Sequence, residues 1–224
     1  MLFPSLHPWN LSPKEAVALQ RELAGRVVPR DEAPDPVRFV AGVDVSCSRF
    51  APAVYAAVVI FDLAAGVVIQ TATAQSAEAF PYVPGLLSFR ELPVVLEAFR
   101  KLQKIPDAVL VDGQGLAHPR RFGIACHLGL WLDLPAIGCA KSRLCGEHAE
   151  PGARRGEWVS LTDDGEEIGR VLRTRDRVRP LYVSPGHRVD MERAVQVVLA
   201  CGRGYRLPEP TRLAHIESNR LRCG

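Results

Sequence analysis

The feature that most restricts this chain is a set of three β-rich segments with almost nothing between them. "VRFVAGVDVS" (37–46), "AVYAAVVIFDL" (53–63) and "GVVIQTATAQS" (66–76) are joined by short connections containing "APA" and "AAG". A parallel crossover needs a dozen or more residues, whereas an antiparallel hairpin closes with very few. These segments therefore predict antiparallel pairing. Downstream the rhythm changes. "LPVVLEAFRKLQKI" (92–105) reads as an amphipathic helix starting at Pro93, "DAVLVDG" (107–113) as a buried strand, "FGIACHLGLWL" (122–132) as a helix and "PAIGCA" (135–140) as a short apolar strand. Antiparallel strands followed by strand–helix–strand units argue for an α/β fold, a mixed sheet with helices on both faces.

The flanks fit one domain spanning 1–224. "SPKEAVALQRELAGRVV" offers Ser12 as N-cap, Pro13 at the first helical position, and an apolar stripe at Ala16, Leu19, Leu23 and Val27. "PRDEAPDP" is a linker too short to separate domains. A charged, glycine-rich segment at about 146–178 predicts a variable hairpin insertion turning at Asp164-Gly165. "PLYVS" follows as a strand, "RVDMERAVQVVLACG" as a helix closed by Gly202, and a last helix begins at Thr211.

Composition narrows the function classes. Hydrophobic residues at 47% and charged residues at 24% of 224 describe an ordered globular chain. Lys+Arg (28) barely exceeds Asp+Glu (25), which permits a polyanionic partner without arguing for one. The amino terminus lacks a basic start, and the longest apolar run, 53–61, is far short of a membrane span. Six cysteines without disulfide-scaffold density read as reduced thiols of a cytoplasmic protein. The zinc alternative, Cys139, Cys145 and His148 in "CAKSRLCGEH", lacks the usual spacing and a fourth ligand.

Chemistry concentrates at three acids. Asp44 interrupts the apolar strand "FVAGVDVS", where an unpaired carboxylate is costly. Asp112 follows "AVLV", near the carboxyl end of a strand where α/β ligand sites gather, with Gly113 and Gly115 beside it. Glu91 lies in "PYVPGLLSFRELP" (81–93), on stiff backbone just ahead of the helix expected from Pro93. Each has an ordinary alternative: a turn-bonded aspartate for Asp44, an Asp-Gly turn for Asp112, a Ser88–Glu91 capping box for Glu91. Converging, the three would suit Mg²⁺, with Lys141 and His118 adding a cation and a proton donor or phosphate contact.

Together "AGVDVS", "PYVPGLLSFRELP", "VDGQGLAHPRRFGIACHLGL", "PAIGCAKSRL" and "YVSPGHRVD" resemble endonuclease V, the deoxyinosine-directed DNA repair nucleases. The resemblance runs from the first helix to "PTRLAH" (210–215). It implies a ribonuclease H-like fold with a five-stranded mixed sheet, three antiparallel then parallel strands. It implies that Asp44, Glu91 and Asp112 hold Mg²⁺ or Mn²⁺, with Lys141 and His215 at the reaction centre. Pro81, Tyr82, Val83, Pro84 and Gly85 would form a wedge entering the duplex. Gly85, Gly113, Ile124, Gly138 and Ala140 would shape a pocket for the everted base, and His118, Arg120 and Lys141 would lie near phosphate. The implied activity is hydrolysis of the second phosphodiester bond 3′ to deoxyinosine by a monomer. An inosine-specific ribonuclease and a non-catalytic inosine-binding protein are the alternatives.

Overall fold

The structure, a computed structural model, describes residues 1–47, 53–77 and 80–223. One continuous eight-stranded sheet runs β3-β2-β1-β4-β5-β8-β7-β6. Its first part is β1 (Phe39–Cys47), β2 (Ala53–Asp62) and β3 (Val67–Ala77), paired antiparallel as their short connections require. The link containing "APA" falls largely outside the described residues. β4 (Ala108–Val111) joins β1 in parallel, and β5 (Ala136–Ala140) joins β4 in parallel.

The sheet does not stop at five strands. β8 (Leu181–Pro185) pairs antiparallel with β5, and the hairpin β6 (Trp158–Asp163)–β7 (Glu166–Leu172) adds to β8. The segment expected as an insertion thus extends the sheet. Its turn is the expected one, with Asp164 and Gly165 at φ 54° and 80°. The mirror-image turn they form matches strand twist. Ile168, Val171 and Leu161 bury one face of the hairpin, which gives it a packing role.

Helices cover both faces. α1 (Pro13–Ala24) carries the expected Ser12 cap, completed by Glu15 into a capping box. α3 (Ile124–Leu132) and α4 (Met191–Ala200) lie close to expectation. α5 (Glu209–Cys223) begins two residues before Thr211. α2 (Leu87–Arg100) departs more: it starts well before Pro93, so Glu91 is helical and Ser88 is no cap. An internal proline costs about 3 kcal/mol. Burial of Phe89, Leu92, Val94, Val95, Leu96 and Phe99 on this helix outweighs that.

Strand alternation sorts the core. Ala41 and Val43 of β1 and Val109 and Val111 of β4 face the cluster under α2 and α3. Val40, Ala108, Leu110, Ile137 and Cys139 face the opposite cluster, shared with α4. By the period of two, Asp44, Asp112 and Lys141 continue this second face. Because β1, β4 and β5 are mutually parallel, all three lie at the same edge. Cys126, Cys139 and Cys201 are buried free thiols, and none of the six cysteines is in a disulfide. Among the described residues, no helix is long and apolar enough to cross a membrane.

Candidate active site

Asp44 lies in the second half of β1 with 6% exposure. α5 lies across β1 with the Pro210 backbone directly over Gly42, where any side chain would collide. This approach delivers one helical face to the acid. His215 Nδ1 sits 3.3 Å from Asp44 Oδ1, and the Ser218 hydroxyl, one turn on, donates to Oδ2. Asn219 accepts from Ser46 at 3.2 Å and donates to the His215 carbonyl at 2.8 Å. Asp112, just past β4, is ion-paired with Lys141, just past β5.

Glu91 completes the group from the amino-terminal half of α2. The residue is half-buried. Burial first, then the charges of Asp44 and Asp112, push its pKa up to about 8, against a smaller pull from Arg90. Burial also raises Asp44; the Ser218 bond opposes this, Asp112 adds to it, and His215 and Lys141 oppose it. Three carboxylates thus act electrostatically on one another, offset in part by Lys141 on Asp112 and by Arg90 near Glu91.

Among the described residues, no three His, Cys, Asp or Glu side chains are drawn into a metal-binding arrangement. Lys141 holds Asp112 while Ser218 and His215 hold Asp44. The zinc alternative does not assemble either. Cys139 is buried in β5, and His148 is spent on the Ala149 carbonyl and the Tyr182 hydroxyl.

A cavity of about 390 Å³ adjoins the acids, with Asp112 and Lys141 in its wall. Tyr82–Gly85, Gly113, Gln114, Phe122–Ile124 and Ala140–Leu144 line it. Four of the five expected pocket residues therefore line it. Gly138 does not: it lies behind the pocket, packed on the backbone of Gly113–Gly115. Pro81 is also outside the lining and exposed, while Tyr82 stands 69% exposed with the Arg90 guanidinium 5.8 Å from its ring centre.

The proline-rich turn is held at Gly85, whose φ of 78° suits glycine. Three donors converge on its carbonyl: Arg120 Nη2 at 2.8 Å, Gln20 Nε2 at 3.0 Å and His118 Nε2 at 3.0 Å. Arg120 Nε also donates to Gln20 Oε1 at 2.6 Å, and Gln20 reaches the Phe122 carbonyl at 3.2 Å. The Arg120 backbone N–H donates to His118 Nδ1 at 3.1 Å, so these partners suit the neutral Nε2–H tautomer. Burial pushes the His118 pKa down to about 4, opposed by the Gly85 bond and helped by Arg120 and Arg121. His118 and Arg120, expected at phosphate, have these polar atoms committed to bracing the turn.

Sequence reasoning missed Gln20, Ser218 and the Ser142–Leu144 wall. Gln20 had a signal: it is a polar residue within one turn of Ala16 and Leu23 on the buried stripe of α1. Ser218 had only its three-residue offset from His215.

The Endonuclease V family model matches residues 21–216. The chain is 51% identical to an Endonuclease V of Gloeobacter violaceus over 97% of this chain and 89% of that protein. It superposes on the crystal structure of the Endonuclease V of Streptomyces avermitilis with a TM-score of 0.90 and 45% identity, covering 95% of this chain and 94% of that one. The Ciona intestinalis Endonuclease V, solved with a 24mer DNA containing an inosine followed by a ribo-adenosine, superposes with a TM-score of 0.82. It is 26% identical, covering 93% of this chain and 96% of that one.

Proposed function

Because this chain belongs to the endonuclease V family, we propose that it is a DNA repair endonuclease. It recognises deaminated bases, chiefly deoxyinosine, and hydrolyses the second phosphodiester bond 3′ to the lesion, leaving 3′-hydroxyl and 5′-phosphate ends. The supporting observation is that Asp112, one of the three acids, and its ion-pair partner Lys141 both line the cavity. A base held in the cavity brings its own strand to the acids. The cavity volume falls at the lower end of the ~300–1,000 Å³ of small-ligand sites. A ribonuclease H-like fold, a monomeric state and a cytoplasmic location belong to the same proposal.

The donor chemistry fits Mg²⁺ or Mn²⁺. Asp44, Glu91 and Asp112 are hard oxygen donors, and burial, with their mutual crowding second, holds Glu91 and Asp44 toward protonation, which a divalent cation would relieve. These three would hold the ion, which when bound supplies Lewis-acid stabilisation of charge on the phosphate. The remaining work belongs to the chain. Lys141 offers an ammonium to the phosphate, while Ser218 and His215 orient Asp44. Tyr82, exposed on a braced turn, stacks where the base leaves the duplex. Bracing matters because a turn already ordered loses less entropy on binding.

The test is a nicking assay on one duplex with and without inosine, with Mg²⁺ or with chelator, mapping the cut. Cutting only with inosine and Mg²⁺, one bond beyond the nearest 3′ phosphodiester, is expected. Equal cutting of both duplexes refutes the reading. Inosine-containing RNA is the second reading, since the Ciona protein holds a DNA with a ribo-adenosine after the inosine, and a matched RNA strand in the same assay tests it. Inosine-dependent binding without product would mark a non-catalytic binder.

A further inference from the structure

Many arginines of this protein are tied to carboxylates: Arg121 to Asp163 and Glu166, Arg193 to Asp31 and Asp35, Arg212 to Glu209. The surroundings of Lys141 break that habit. Arg206 stands just before α5. Its Nη2 donates to the carbonyls of Lys141 and Pro180 at 2.7 and 2.8 Å, and its own carbonyl accepts the Thr174 hydroxyl at 2.6 Å. Side chain and backbone are both fixed. Yet its Nε is buried with no hydrogen-bond partner, and among the described residues it makes no ion pair.

Burial is the larger influence lowering the Arg206 pKa; the like charge of Arg179 adds to it, and Asp112 acts the other way. Arg179 is exposed and is in no ion pair or side-chain hydrogen bond among the described residues. Sheet register explains its position. Ala140 pairs with Tyr182, so the chain leaving β5 at Lys141 runs beside the chain entering β8 after Pro180. Arg206, bonded to the Pro180 carbonyl, and Arg179, the residue before Pro180, therefore both stand at the reaction edge, and neither is ion-paired to a carboxylate among the described residues. Carbonyl anchors fix Arg206, and an anion would neutralise the two charges.

We propose that Arg206 and Arg179 form a phosphate subsite for the nucleic-acid strand where it runs past Lys141. The inference rests on the nuclease reading and adds where the strand is held. Arg206 supplies a rigid donor, and Arg179 supplies the solvent-facing charge that the strand meets first.

The experiment measures duplex binding by fluorescence anisotropy over a salt series, with chelator present to prevent cutting. Arg179→Gln removes a side chain with no anchoring bond, so it leaves the fold in place. The slope of log affinity against log salt should become shallower by about 0.9, and by about twice that when Arg206→Gln is added. The preference for inosine over plain duplex should not change. A wild-type slope in Arg179→Gln overturns the subsite. If wild-type protein nicks inosine DNA while that slope is unchanged, only the subsite falls. If wild-type protein neither binds nor nicks, the nuclease reading falls first. Should the double variant fail to fold, the Arg179→Gln slope still decides.

Discussion

Two regions on either side of one cavity are built on opposite principles. At Gly85, every polar group has a partner: one carbonyl takes three donors, Gln20 and Arg120 bond each other, and His118 is kept neutral. Across the cavity, burial and neighbouring carboxylate charges both work against the ionisation of Asp44 and Glu91. The first arrangement gives rigidity, because breaking any bond leaves buried polar atoms unpaired. The second stores unfavourable electrostatics that a cationic ligand or a phosphate-bound ion can relieve. The contrast suggests that one side holds still while the other reacts.

The sharpest way to break this comparison is to remove charge from the reactive side. Asp44→Asn keeps the size and an acceptor for Ser218, so nicking should fall by about 10³-fold. Stability, read from urea unfolding, should stay within about 1 kcal/mol. A large loss of stability with activity retained would make Asp44 a structural residue. The braced side should answer in the reverse sense. Gln20→Ala strips one donor from Gly85 and a partner from Arg120, and should cost about 2 kcal/mol of stability. Its nicking rate should fall by less than about tenfold. Unchanged stability would mean that the clamp contributes nothing to rigidity.

The smallest effect is pH-dependent. The folded Glu91 pKa, about 8, lies above its ordinary 4.5, so between those values the folded state keeps a proton that the unfolded state has lost. Stability therefore falls as pH rises through that window. Without divalent cations, Glu91→Gln should remove this slope and be the more stable protein near pH 8, by about 1 kcal/mol after allowing for the residue's exposure. Thermal melts at both ends of the window check this, and parallel curves for the two proteins would contradict it.

Much of this could be read locally. The Ser12 cap, the Asp164-Gly165 turn and the antiparallel β1–β2–β3 pairing follow from residue type and connection length. Asp44, Asp112 and Lys141 share a face because strands alternate with a period of two. Glu91 was misplaced because a proline rule applied locally met a helix whose apolar face was worth more. The hairpin at 158–172 looked like an insertion because nothing within it reveals that β8 will offer a free edge.

Residue order set the element types, the turns and the identity of the acids, since each depends on neighbours a few positions away. Packing decided that Ser218 would reach Asp44 across 174 positions and that Gln20 would reach Gly85 across 65. It also decided which arginines would stand without a carboxylate. Such meetings depend on how helices settle on a twisted sheet, a property of the assembled core that no short window of sequence contains.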